Sequence, residues 1–149
     1  HSTSRRQRQM CIRDRYNSGG HRKITPDEYE TIKKYLQKFP ESMHIRAAFI
    51  IASEAIYSPS AEYKRVPDKI INKAKQWSEQ YPKKIEFQEA YFGLLFSRLK
   101  YAQAQDMRNE QRRVYREMKT VAERANYSEY NESNQLMESV DILHRVFGY

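Results

Sequence analysis

Cysteine, glycine and long apolar runs are scarce in this chain. Its 149 residues include one cysteine, Cys11, and only four glycines. A single cysteine excludes an intrachain disulfide framework and a cysteine-based metal site, and it fits a reducing compartment such as the cytoplasm. With so few glycines the chain has no Gly-rich phosphate-binding loop. No apolar run approaches the ~20 residues that a membrane-spanning helix needs, so we expect no membrane partner.

The first fifteen residues have the appearance of a segment foreign to the protein. Residues 5–15 back-translate without a break into a transposase-type sequencing adapter. The alternative is a natural basic arm at the N-terminus. The adapter interpretation predicts that residues 1–15 are non-native and that the chain is a metagenomic fragment of a longer protein whose own N-terminus is absent. Such segments are set aside before the fold is considered.

Setting these residues aside weakens the charge signal. Residues 1–15 hold five arginines and one aspartate, so they supply four of the eight net positive charges. The other four are spread over 134 residues. A charge density this low does not by itself indicate nucleic-acid binding.

Composition and spacing favour an all-α chain. Glutamate, lysine, glutamine, alanine and arginine dominate, and apolar residues recur at helical rather than alternating spacing. After a loop over residues 16–24, six helices are predicted, beginning near residues 25, 42, 67, 85, 106 and 128 and ending near 39, 57, 81, 103, 125 and 147. The expected N-terminal caps are Thr25 (in a capping box with Glu28), Ser42, Asp106 and Ser128. The fourth helix is apolar on several sides, so it is expected to lie between two neighbours.

An aromatic-proline pair recurs after 42 residues, as Phe39-Pro40 and Tyr81-Pro82. Each pair closes a predicted helix, and the apolar residues that follow also recur at this offset. They are Ile45, Ala48, Phe49 and Ala52 in the first copy and Phe87, Ala90, Tyr91 and Leu94 in the second. A weaker third copy begins at Asn126. Recurrence at one offset indicates an internal repeat.

The stretch from Trp77 to Leu95 resembles a bacterial tetratricopeptide-like (TPR-like) helical repeat of an elongated kind, with repeats of about 42–44 residues. The segment Val121–Asn126 resembles the same helix end. The resemblance covers roughly residues 25–147 and implies a TPR-like repeat domain over 25–149, an α-solenoid of about three antiparallel helical hairpins. HEAT-like repeats have a matching length and stay open as the alternative family.

The resemblance also implies a function. Such repeats are protein–protein interaction scaffolds, so we expect the repeat region of a larger bacterial, cytoplasmic protein with a protein or peptide partner. Contacts would come from the first helix of each hairpin, on the concave face. In that register the polar candidates are Arg46, Ser53, Glu54, Gln88, Asn131, Gln135 and Glu138. Ordinary surface is the alternative for each.

The fifth predicted helix supports a second interpretation, a nucleic-acid-binding helical repeat. Its basic residues are Arg108, Arg112, Arg113, Arg116, Lys119 and Arg124. These side chains would contact successive phosphates of a nucleic acid, and some of the twelve tyrosines would stack on its bases. However, Glu110, Glu117 and Glu123 interleave at spacings that permit pairs within the helix, which is typical of a solvated outer face.

Residues that could carry catalysis or bind a metal are isolated. The histidines beyond the first fifteen residues are His21, His44 and His144, and none has a carboxylate or a second histidine at metal-ligand spacing. The sequence therefore predicts no enzyme, no cofactor and no metal site.

Overall fold

A computed structural model of the chain describes residues 24–57, 64–128 and 134–149. These residues contain helices and connecting segments and no strand, so the predicted all-α class is confirmed. Their helices are α1 (Pro26–Lys38), α2 (Met43–Ile56), α3 (Asp68–Gln80), α4 (Ile85–Ala104), α5 (Arg108–Ala125) and α6 (Gln135–Phe147). Within these three ranges, no helix is both long enough and apolar enough to cross a membrane. The predicted foreign segment 1–15 lies outside the described residues, as does all of the predicted loop 16–24 except Ile24.

The chain divides after Ile56 into two compact units. The first holds α1 and α2, which pack against each other. In the second, α4 packs against both α3 and α5, and α5 also packs against α6. The fourth helix therefore lies between two neighbours, as its apolar composition predicts. The single repeat domain over residues 25–149 stays a prediction.

Local sequence explains how the first unit begins. Thr25 and Glu28 form the predicted capping box, in which each side chain accepts a hydrogen bond from the other residue's backbone N–H, at 3.1 and 3.2 Å. Ser42 begins α2 in a similar way, because its Oγ accepts from the backbone N–H of Ile45 at 3.3 Å. The two helices are joined by the stacked rings of Tyr29 and Phe49, whose centroids lie 5.7 Å apart.

The first unit also has a largely apolar cavity between α1 and α2, with a volume of about 520 Å³. The cavity is lined by Glu28, Thr31, Ile32, Tyr35, Phe39, Ile45 and Ala48. Ile45 and Ala48 belong to the predicted apolar set of the first copy, and both are only partly buried. Their copy of the repeat is therefore less tightly filled than the sequence pattern alone suggests.

The second copy of the repeat is tightly packed. Phe87, Ala90, Tyr91 and Leu94, the residues predicted to form the α4 face, are all buried. At the end of α3, Trp77 is buried as well, and the Tyr81 ring stacks on Phe87 with centroids 4.7 Å apart. Aromatic stacking of this kind adds to the free energy gained from burial alone.

Two predicted caps are wrong. Asp106 does not cap α5: Met107 occupies the N-cap position without a side-chain cap, and Asp106 has a positive φ of 52° in the preceding turn. Ser128 does not begin the sixth helix, which starts at Gln135 behind Asn134. The Asn134 side chain accepts a hydrogen bond from the backbone N–H of Met137 at 3.1 Å. The hydroxyl of Ser128 instead donates to the carbonyl of Ala125 at 2.7 Å.

The last two residues fold back onto the second unit. Gly148 has φ 70°, a left-handed conformation that glycine adopts without steric cost. This reversal brings the Tyr149 hydroxyl to Gln111, to which it donates at 2.7 Å, and to Gln103, from which it accepts at 2.9 Å. The Tyr149 ring also lies against Tyr115, with centroids 5.5 Å apart. The C-terminal end of α6 is thereby attached to α4 and α5.

Candidate interaction groove

The main functional candidate is an open groove in the second unit, with a volume of about 720 Å³. Because α3 and α5 each run antiparallel to α4, they run in the same direction and form the two walls. The floor is α4. The groove is lined by Arg65, Asp68, Ile71, Asn72, Lys75, Tyr91, Leu95, Arg98, Glu110, Arg113, Val114, Arg116, Glu117 and Thr120. Side chains from all three helices meet in successive layers along it.

The first layer is centred on Arg98, which is only 7% exposed. Its Nε donates to the carbonyl of Val66 at 2.9 Å, and its guanidinium bonds to Asp68 and lies 3.9 Å from Glu110. The hydrogen bond and charge of Arg98, followed by the charge of Arg65, hold the pKa of Asp68 below its ordinary value. A buried guanidinium is tolerated only when it is paired in this way. Arg98 therefore ties the start of α3 to the start of α5.

The next layer is apolar. It consists of Ile71 on α3, Leu95 on α4 and Val114 on α5. Leu95 and Val114 are buried, whereas Ile71 keeps part of its surface exposed. This layer gives the groove a short apolar floor between two polar layers.

The third layer joins both walls to the floor through Glu117. Its carboxylate lies 3.6 Å from the Lys75 ammonium across the groove. Burial, followed by the interaction with the Glu117 carboxylate, raises the pKa of Tyr91 far above its ordinary value. The Tyr91 hydroxyl is therefore neutral at any physiological pH.

The fourth layer is a polar network at the ends of α3 and α5, outside the groove lining. The amide nitrogen of Gln88 donates to the carbonyls of Ser78 and Tyr81, each at 3.0 Å, and its amide oxygen accepts from the Ser78 hydroxyl. Arg124 on α5 donates to the same Ser78 hydroxyl at 2.6 Å. This network links α3, α4 and α5, and its buried polar atoms have partners, as burial requires.

The predicted contact residues of the first unit are divided between buried and exposed positions. Ser53 is fully buried, and its hydroxyl is shared between Tyr29 at 2.6 Å and the carbonyl of Phe49 at 2.7 Å. Arg46 is partly buried, and its Nε donates to the carbonyl of Pro40 at 2.7 Å. Glu54 is also partly buried. Ser53 thus has an internal role and no surface to offer a partner in this conformation.

The predicted contact residues of the second unit are likewise not gathered into one site. Gln88 is fully buried in the fourth layer, outside the groove lining. Gln135 and Glu138 are exposed on the first turns of α6, away from the groove lining. Asn131 lies outside the described residues. None of the predicted residues that the structure describes lines the groove, and a binding role for the exposed ones stays a prediction.

The basic residues predicted on the fifth helix separate into two groups. Arg113 and Arg116 line the groove, and Arg124 belongs to its fourth layer. Arg108, Arg112 and Lys119 are exposed and lie outside the lining. The expected pairing within the helix is confirmed for Arg113 and Glu110, which form two hydrogen bonds. Glu117 instead forms its ion pair across the groove, with Lys75.

Sequence reasoning missed Arg98 and placed Tyr91 only in the apolar face of the fourth helix, so the part that each plays in the groove was not predicted. The sequence contains a signal for the first. Arg98 follows Tyr91 and Leu95 at helical spacing, on a stripe that is otherwise apolar. Because arginine is almost never buried unless it is paired, a charge on such a stripe indicates an internal ion pair. Its partners, Asp68 and Glu110, lie on other helices and cannot be identified from spacing.

No protein-family model, curated protein or solved structure matches this chain. The groove therefore has to be interpreted from its own chemistry.

Proposed function

We propose that the chain is the repeat region of a bacterial, cytoplasmic protein–protein interaction scaffold, and that its groove binds a peptide segment of a partner. The observation that carries this proposal is the groove between α3 and α5, a concave cleft with a volume of about 720 Å³ and with polar and apolar layers. Its volume is typical of ligand-binding clefts. A mixed lining of this kind suits a peptide, which offers backbone, charged and apolar groups together.

The proposed TPR-like solenoid of helical hairpins has support from the backbone of the two aromatic-proline junctions. At the first, the N–H of Phe39 donates to the carbonyl of Tyr35 at 2.8 Å, and Phe39 has φ −129° and ψ 66°. At the second, the N–H of Tyr81 donates to the carbonyl of Trp77 at 2.8 Å, with φ −119° and ψ 61°. Each junction lies between two helices, and the recurrence of this helix–junction–helix unit after 42 residues is what a structural repeat produces.

The third junction, at the start of the weaker third copy, differs from the first two. Asn126 has φ −59° and ψ −27°, a helical conformation unlike that of Phe39 and Tyr81. Its turn is nevertheless tied to the following helix: the Asn134 side-chain amide donates to the carbonyl of Ala122 at 2.7 Å and to Asn126 Oδ1 at 2.5 Å. Atypical terminal copies are usual in repeat proteins.

The test is a selection of binding peptides followed by measurement with matched variants. The full chain is used to select from a random peptide library, and the selected peptides are measured by fluorescence anisotropy. Asn72→Trp places an indole on an exposed position of the groove wall, whereas Gln76→Trp places one on an exposed position of α3 outside the groove. We expect the first variant to weaken binding at least about tenfold and the second to change it little. Failure to select any peptide, or equal effects of both variants, would contradict the proposal.

A second candidate function, nucleic-acid binding, has one specific observation in its favour. Arg108, Arg112, Arg116 and Lys119 follow one exposed side of α5 over about 16 Å. Of these, Arg112, Arg116 and Lys119 form no ion pair with any residue that the structure describes. Binding of a single-stranded oligonucleotide that falls steeply between about 50 and 200 mM salt, and that is lost in Arg112→Gln, would favour this function.

A further inference from the structure

We propose that the groove binds an acidic segment of the partner. One apolar side chain of this segment, flanked by acidic residues, inserts into the apolar layer of the groove. This inference rests on the proposed peptide-binding function and names the class of partner. The lining contains five cationic side chains, Arg65, Lys75, Arg98, Arg113 and Arg116, and three carboxylates, Asp68, Glu110 and Glu117. Where these charges lie matters more than their number.

The three carboxylates are already satisfied within the groove. Glu110 and Glu117 are withdrawn from solvent, with side chains 19% and 26% exposed. Glu110 is paired with Arg113 and Arg98, and Glu117 is paired with Lys75. Asp68 is bonded to both Arg98 and Arg65, and its side chain is 68% exposed. A partner therefore finds no unpaired carboxylate among the lining residues.

The cations of the rim, by contrast, remain accessible. The side chains of Arg113 and Lys75 are 67% and 52% exposed, although each also contacts a carboxylate. Arg116 is exposed and forms no ion pair with the described residues. Because Lys75 stands on the α3 wall and the two arginines on the α5 wall, a segment lying between the walls meets positive charge on both sides. Such an arrangement selects acidic partners and speeds their association.

The apolar layer adds the second element of recognition. Ile71 is partly exposed above the buried Leu95 and Val114, and polar layers lie on either side. One aliphatic or aromatic side chain of the partner can be buried there, while its acidic neighbours reach the rim cations. We therefore expect a short motif in which glutamate or aspartate flanks a single leucine or phenylalanine.

The same chemistry disfavours a nucleic acid inside the groove. A phosphate chain has no aliphatic side chain that could be buried against the Ile71 layer. The exposed stripe that would suit phosphates includes Arg108 and Arg112, which lie outside the groove lining. The two partner classes thus depend on different arginines of one helix.

The test uses the full chain and three fluorescein-labelled probes in anisotropy titrations. The probes are a short peptide with glutamates around a central leucine, the same peptide with glutamine for every glutamate, and oligothymidine. Two double variants remove the same charge from α5: Arg113→Gln with Arg116→Gln at the groove, and Arg108→Gln with Arg112→Gln outside it. Circular dichroism checks that both remain folded. If the groove variant is unfolded, the single variants Arg116→Gln and Arg112→Gln replace the pair, since neither side chain has an ion-pair partner to lose.

We expect the glutamate peptide to bind at least about tenfold more tightly than the glutamine peptide. The groove variant should remove most of this preference, and the outer variant should leave it within about twofold. Equal binding of the two peptides would overturn the acidic preference while leaving peptide binding intact. Equal losses of peptide affinity in both variants would show that only the net charge of the chain acts, which contradicts the inference. Oligothymidine binding that is tighter than peptide binding and depends on Arg108 and Arg112 would also contradict it and would assign the helix to nucleic acid. If neither peptide binds, the inference fails, and the library selection decides the proposed function separately.

Discussion

The Phe39-Pro40 and Tyr81-Pro82 junctions have the same backbone and different surroundings. At the first junction Tyr35 and Phe39 are 53% and 47% exposed. At the second, the equivalent Trp77 is buried and Tyr81 is stacked on Phe87. The following helix donates a side-chain hydrogen bond to each junction, from Arg46 to the carbonyl of Pro40 and from Gln88 to that of Tyr81.

The comparison separates what is local from what is not. Proline stops a helix and restricts the residue before it, so two aromatic-proline pairs adopt one geometry regardless of context. Burial depends on which other side chains surround the junction, and these differ between the copies. Equivalent positions should therefore respond very differently to the same substitution. Trp77, the only tryptophan, gives a fluorescence signal specific to the second unit, and circular dichroism reports on both.

The largest difference in the free energy of unfolding is expected between Phe87→Ala and Ile45→Ala. Phe87 is buried and stacked, so its truncation should lower the free energy of unfolding by about 3–5 kcal/mol. Ile45 is partly exposed at the edge of the first-unit cavity, so its truncation should cost about 1 kcal/mol or less. Urea denaturation followed by circular dichroism measures both. Equal costs would show that the two copies are equally well packed.

The next largest difference in stability is expected from the side-chain hydrogen bonds at the two junctions. Gln88→Ala leaves the hydroxyl of Ser78 and the carbonyls of Ser78 and Tyr81 without their amide partner, at about 1–3 kcal/mol for each buried group that stays unsatisfied. Arg46→Ala removes an exposed hydrogen bond whose carbonyl can turn to water, so we expect about 0.5–1.5 kcal/mol. The Trp77 fluorescence transition reports the first variant and circular dichroism the second. An unchanged free energy of unfolding in Gln88→Ala would show that water replaces the amide.

These contrasts also explain which features of the fold could be predicted from the sequence. Helix bounds, the Thr25 cap and the buried α4 face follow from short-range patterns, namely helical spacing, a capping box and proline. Asp106 failed as a cap because its positive φ places it in the turn before Met107, and Ser128 failed because its hydroxyl donates back to the carbonyl of Ala125.

The groove depends on contacts that no local pattern contains. Arg98 meets Asp68, 30 residues away, and Arg124 meets Ser78, 46 residues away. The repeat register selected Ser53 and Gln88 as surface residues, yet each fills a buried polar position. The register alone does not distinguish an outward-facing polar residue from one that ties two helices together.

The smallest contrast, Ala90→Leu against Ala48→Leu, tests packing with nothing removed. Ala90 is buried where α4 meets its neighbours, so a larger side chain must displace them at a cost of about 1–3 kcal/mol. Ala48 occupies the equivalent position in the first copy but lines a cavity of about 520 Å³, where the added methyl groups find space. We expect Ala48→Leu to change the free energy of unfolding by less than about 0.5 kcal/mol. An unchanged melting temperature in Ala90→Leu would contradict the packing of α4, and a large loss in Ala48→Leu would show that the first-unit cavity is closed in solution.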